Sequence, residues 1–148
     1  MISSILIIAF SIVLLVYWFR YTCLLILRTR TAVDYAPVVV TANNLQFLHV
    51  QDLIREAEAA TLDPLRKSLD RDYGLLTYLM KHTAGFHVGG ITVEQRMLLL
   101  DFKLMQIWYG ATRRLAVHQA RAALDEMSNI LGHLANAIGE RAASISRA

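Results

Sequence analysis

Cysteine is nearly missing from this chain. Cys23 is the only one in 148 residues, which excludes a disulfide framework and a Cys-built zinc or iron–sulfur centre. Proline occurs twice and glycine seven times, too sparsely for collagen-like or low-complexity material. Charge is scarce too. Charged residues make up 18% of the chain, against roughly 25% in an ordinary soluble domain, and the 55% hydrophobic content excludes a disordered tail. The most informative absence is of acid. No Asp or Glu precedes Asp34, whereas Arg20, Arg28 and Arg30 do. Residues 31–148 carry 12 basic and 12 acidic side chains, so the net charge of +3 comes from those three arginines. A nucleic-acid binder shows a basic stripe on its domain. The nearest equivalent, Arg113, Arg114 and Arg121, lacks interleaved aromatics and reads as a solvated helix surface. No nucleic-acid partner is expected.

Residues 2–19, ISSILIIAFSIVLLVYWF, contain no charge at all. As a helix they extend about 27 Å, close to the hydrocarbon thickness of a bilayer. Tyr17, Trp18 and Tyr21 cluster around Arg20, and Arg28 and Arg30 follow. Aromatic rings with a polar edge favour the headgroup level, and long basic side chains snorkel to it. These six residues therefore mark the membrane interface. No basic stretch precedes the apolar run and no small-x-small site follows it, so the segment reads as an uncleaved anchor. Arginines on one flank only predict an outside N-terminus and a cytoplasmic body, with a bacterial inner membrane as the expected setting.

The rest of the chain has helical periodicity and no alternating strand pattern. Pro37 ends the anchor helix, and Val38–Val40 is too short to start a sheet. Phe47, Val50, Leu53, Ile54 and Ala57 define one helix over about 44–60. Asp63 as N-cap and Pro64 at the first helical position open another, which Gly85 stops. Thr92 and Gln95 form a capping box. Helical pattern then continues to about residue 140, with a kink or break expected near Gly110 and Arg113-Arg114. Within it Val117, Ala120, Leu124, Met127, Leu131, Leu134 and Ile138 follow an unbroken 3-4 spacing. The adjoining column, Ala116, Ala123, Ile130 and Ala137, is apolar as well, so this wide stripe suits a bundle better than a two-stranded coiled coil. The reading is all-α: a single N-terminal transmembrane helix with a membrane-proximal extension (1–30), a linker (31–43), a small helical bundle (44–140) and a flexible tail (141–148).

The nucleotide-binding, hydrolase, zincin and c-type haem signatures are all missing. Three constellations stand out instead. His49, Asp52 and Glu56 share one helical face and could serve a divalent metal, but the face lies opposite Phe47, Val50 and Ile54 and reads better as a solvated polar face. Asp72 and Asp101 project from apolar faces. A buried carboxyl needs a basic group, a hydroxyl or a helix end as partner, and an internal ion pair is the expectation. His82, His87, His118 and His133 are too scattered for a haem site; the last two lie about 22 Å apart along one helix.

The expected protein is a non-enzymatic, membrane-anchored interaction, scaffold or accessory subunit without a cofactor. Its partners would be the lipid bilayer, other membrane or cytoplasmic subunits, or a second copy. The apolar stretch 24–27, the nearly all-round apolar helix 97–109 and the 117–138 seam are the candidate contact surfaces. A membrane-tethered metal- or haem-binding bundle is the alternative.

Overall fold

The computed structural model describes residues 1–29, 32–83 and 89–148. Six α-helices and one short 3-10 turn account for most of them, and no strand occurs among the described residues. The helices are α1 (Ile2–Arg28), α2 (Ala36–Asn43), α3 (Phe47–Ile54), α4 (Leu62–His82), α5 (Val93–Thr112) and α6 (Val117–Arg147), with the 3-10 turn at Ala59–Thr61. The chain divides into two units, 1–30 and 31–148.

The first unit is α1. It is long and apolar enough to cross a membrane, and its most hydrophobic 18-residue stretch buries nothing. Its hydroxyls turn back onto the helix: Ser11 donates to the Ile7 carbonyl at 2.8 Å and Thr22 to the Trp18 carbonyl at 2.9 Å. Those bonds satisfy polar groups that hydrocarbon could not.

The second unit is organised around α6, against which α2, α3, α4 and α5 all pack. Ala120, Leu124, Met127, Leu131 and Leu134 are wholly buried, as are Ala123 and Ile130 beside them. The stripe is thus the axis of the bundle. Its C-terminal half is lined by small residues that let other helices approach. A Cβ on Gly132 would meet only the Phe47 ring, at 3.6 Å. One on Gly139 would lie 2.3 Å from the Tyr35 Cβ. The same stretch of α6 holds the start of α2, because the Asn136 side chain accepts the Tyr35 backbone N–H at 2.6 Å.

Those contacts overturn the reading of 31–43 as a linker. Residues 36–43 form α2, whose Ala36 and Val39 are buried. Pro37 does not end a helix but sits in the first turn of a new one, where its missing N–H has no intrahelical partner to lose. Asn44, in the left-handed region at φ 52°, closes α2, a conformation that Asn tolerates better than most residues. Residues 141–147 continue α6 instead of forming a tail. The helix expected over 44–60 is shorter, since α3 ends at Ile54. The Thr92–Gln95 capping box opens α5, and the break after it falls at residues 113–116, just beyond Gly110. Gly85 lies outside the described residues.

Candidate functional site

The two off-pattern acids are both fully buried. Asp72 works as a remote helix cap. Its Oδ2 accepts the backbone N–H of Gln46 at 2.6 Å and of Phe47 at 2.7 Å, the first free donors of α3. A carboxyl at a helix N-terminus also meets the positive end of the helix dipole. Arg71 completes the corner, donating to the Asn44 carbonyl at 3.1 Å and lying 3.4 Å from Asp72 Oδ1. A side chain 25 residues downstream therefore fixes the α2–α3 turn. Asp101 is buried on the face of α5 that also buries Leu98, Phe102 and Met105.

Asp63 does not cap α4. The helix begins at Leu62, and Asp63 sits in its first turn. Its carboxyl accepts the Tyr109 hydroxyl at 2.6 Å and both bonds from Arg113 at 3.1 Å. The Tyr109 bond, reinforced by Arg113, holds the carboxyl below its ordinary range against a smaller opposing effect of burial. Burial and the Asp63 charge push the Tyr109 hydroxyl well up, so it stays a neutral donor. Arg66 stacks over the Tyr109 ring at 5.7 Å. Further along the same pair of helices Gln106 donates to Asp70, Tyr73 stacks on Phe102 at 4.3 Å, and the Lys103 ammonium lies 4.6 Å over the Tyr73 ring. This row ties α4 to α5. Sequence reasoning missed it because its polar members, Asp63, Asp70, Lys103, Gln106 and Arg113, are ordinary surface residues taken alone, and its aromatic members read simply as core.

The remaining candidates do not converge. His49, Asp52 and Glu56 are exposed, and Glu56 lies past the end of α3. Among the described residues no three His, Cys, Asp or Glu side chains gather as metal ligands would. His82 bonds the Tyr78 carbonyl at 2.9 Å and stacks on the Tyr78 ring. His118 is exposed and His87 lies outside the described residues. His133 is half-buried. Desolvation makes its ring less basic than usual, with Glu94 opposing. A cavity of about 260 Å³ lies between the start of the body and the end of α6, lined by Val33, Tyr35, Glu140, Ala143, Ser144 and Arg147. That is below the usual size of small-molecule sites.

The surfaces tell more. Of the 117–138 seam, expected as an interaction surface, Ala120, Leu124, Met127, Leu131, Leu134 and Ile138 are buried inside the bundle and Val117 is half-buried. Outward apolar surface is found on α5 instead. Val93 is 73% exposed, Leu100 55%, Ile107 70% and Trp108 48%. Leu98, Phe102, Met105 and Tyr109 meanwhile fill the core from the same helix. The all-round apolar character read from the sequence thus resolves into two stripes, one facing the core and one facing out. On α1, Tyr17, Trp18, Tyr21 and Arg28 are exposed and Arg20 is half-buried; Arg30 lies outside the described residues.

These features define an all-α helical bundle preceded by one helix of membrane-spanning length. The chain matches no protein-family model, and no curated protein or solved structure is similar to it.

Proposed function

We propose that this protein is a non-catalytic, membrane-anchored helical subunit that works by surface contact, as a scaffold or accessory component of a membrane assembly. The observation that carries this reading is the outward stripe of α5, where Val93, Leu100, Ile107 and Trp108 stay exposed on a body that already closes a core around α6. Several large apolar side chains left exposed along one helix of a folded body suggest a contact site. In this reading α1 spans the bilayer with its N-terminus outside, Tyr17, Trp18, Arg20 and Tyr21 lie at the headgroup level, and the body is cytoplasmic, in a bacterial inner membrane. The lipid bilayer, other subunits or a second copy are the partners of the oriented body, and the outward face of α5 is where such a contact forms.

Solubilisation in mild detergent, followed by affinity capture and mass determination, tests the reading. Co-purifying subunits in fixed ratio support it. A monodisperse monomer from native membranes, with no partner at any detergent concentration, contradicts it. Topology is tested separately by a C-terminal reporter, expected to be active only in the cytoplasm.

A further inference from the structure

The outward stripe of α5 has a chemistry of its own. Apolar residues recur every seven positions at Val93, Leu100 and Ile107, and Leu104 and Ala111 join them on the same side. On an ideal helix the five fall within an arc of about 60°. Arg96 and Lys103, both exposed, border this arc on one side. On that side α4 adds the exposed Lys67 and Lys81. The acids nearby are already engaged: Asp63 by Tyr109 and Arg113, Asp70 by Gln106 and Arg66. The only exposed acid on α5, Glu94, points about 110° away from the middle of this arc and acts on His133 of α6. Charge is thus uneven although the body is balanced in sum, with only the exposed Arg55 among the acids that follow α3. The α4–α5 rim is basic, while Asp52, Glu56 and Glu58 expose acid in and after α3.

From this pattern we infer that the α5 face lies on an anionic lipid surface, with Val93, Leu100, Ile107 and Trp108 in the headgroup–acyl boundary and Arg96 and Lys103 on lipid phosphates. The inference rests on the reading of α5 as a contact face and names what covers it. Three observations select lipid. An apolar stripe carrying a tryptophan and edged by Lys and Arg is the composition of helices that lie in the membrane interface. The basic edge disfavours an antiparallel second copy, because a two-fold α5–α5 contact of that kind brings Arg96 and Lys103 toward like charges without an acid to pair them. Finally, only seven residues separate α1 from α2, so a chain anchored through α1 keeps its body near a bilayer. Tethering supplies the high effective concentration that lets a modest face bind. Each basic residue near an anionic surface adds attraction that salt weakens.

Tryptophan fluorescence of the full chain in lipid vesicles tests the inference, since Trp18 and Trp108 are the only two tryptophans. Trp18→Phe leaves Trp108 as reporter, and Trp108→Phe leaves Trp18 to report α1. In vesicles with about one-third phosphatidylglycerol and brominated acyl chains, Trp108 emission should shift to the blue and fall at least about two-fold. Quenching should be weaker in pure phosphatidylcholine. It should also weaken between 0.1 and 1 M salt, as the screening length falls from ~10 to ~3 Å. Arg96→Glu with Lys103→Glu should reduce the anionic-vesicle signal to the phosphatidylcholine level, with an unchanged helical circular dichroism spectrum. Trp108 that brominated lipid leaves unquenched overturns the lipid assignment. If it is also shielded from aqueous acrylamide, protein covers the face and the contact reading survives. If acrylamide reaches it freely in native membranes, the contact reading falls too. Trp18 quenching reports the anchor independently of either result.

Discussion

Helices α5 and α6 are consecutive and both rich in apolar residues, yet they use that content differently. On α6 the apolar residues form one broad stripe, and all four neighbouring helices of the body cover it. On α5 they form two stripes, of which the body covers one. The difference shows that regular spacing and abundance carry separate messages. Regular spacing along α6 marks the axis of the fold. Surplus on α5, beyond what one buried face needs, leaves apolar side chains exposed on the body, the face we propose as its contact surface.

Substitutions in the two helices sharpen this contrast, and the largest effect belongs to the α6 axis. Leu131→Asp places a charge at a fully enclosed position, a cost of several kcal/mol against a total stability of about 5–15 kcal/mol. Cooperative loss of helical signal at ordinary temperature is the expected result. Next is Gly139→Ala. The new methyl would stand 2.3 Å from the Tyr35 Cβ and 3.2 Å from Val39 Cγ2, so α2 must move off α6, at roughly 1–3 kcal/mol. A lower melting temperature together with faster amide exchange in α2 would be observed; an unchanged melt would mean that α2 is not held there.

Asp72→Ala leaves the Gln46 and Phe47 N–H groups without their acceptor, which costs about 1–3 kcal/mol. Asp72→Asn keeps an acceptor oxygen and should lose less. An unchanged stability in Asp72→Ala would show that the carboxyl is not acting as a cap. A smaller effect is pH dependence through His133. Its folded-state pKa is lowered from 6.5 by burial, so the unfolded chain takes up the proton first as pH falls. Stability from this residue is full above about pH 6.5, declines as pH drops toward the lowered folded value, and levels off below it. His133→Gln should flatten that part of the stability–pH curve, as read by denaturant titration at several pH values.

The fold was legible where local pattern and tertiary role coincide. A wide 3-4 stripe implies a bundle whoever the neighbours are, and the Thr92–Gln95 box is complete within four residues. Helix α2 was not legible, because its burial depends on Gly139 and Asn136, about 100 residues away in sequence. Asp63 misled for the opposite reason: Asp-Pro is a strong local start signal, yet Tyr109 and Arg113 claim the carboxyl from another helix. The buried acids were visible as carboxyls among apolar neighbours, but the backbone partners of Asp72 were not, since any helix end could have supplied them. The outward stripe was visible as excess hydrophobicity, and only the packing of α5 on α6 divides that excess into an inner and an outer half.

The division of labour between the two stripes is best tested by placing the same charge on each and following thermal unfolding by circular dichroism. Leu131→Asp should abolish the cooperative transition. Leu100→Asp, at a position 55% exposed, should shift stability by no more than about 0.5 kcal/mol in detergent. If Leu100→Asp unfolds the body as Leu131→Asp does, the outer stripe of α5 belongs to the core and its assignment as a contact face is wrong.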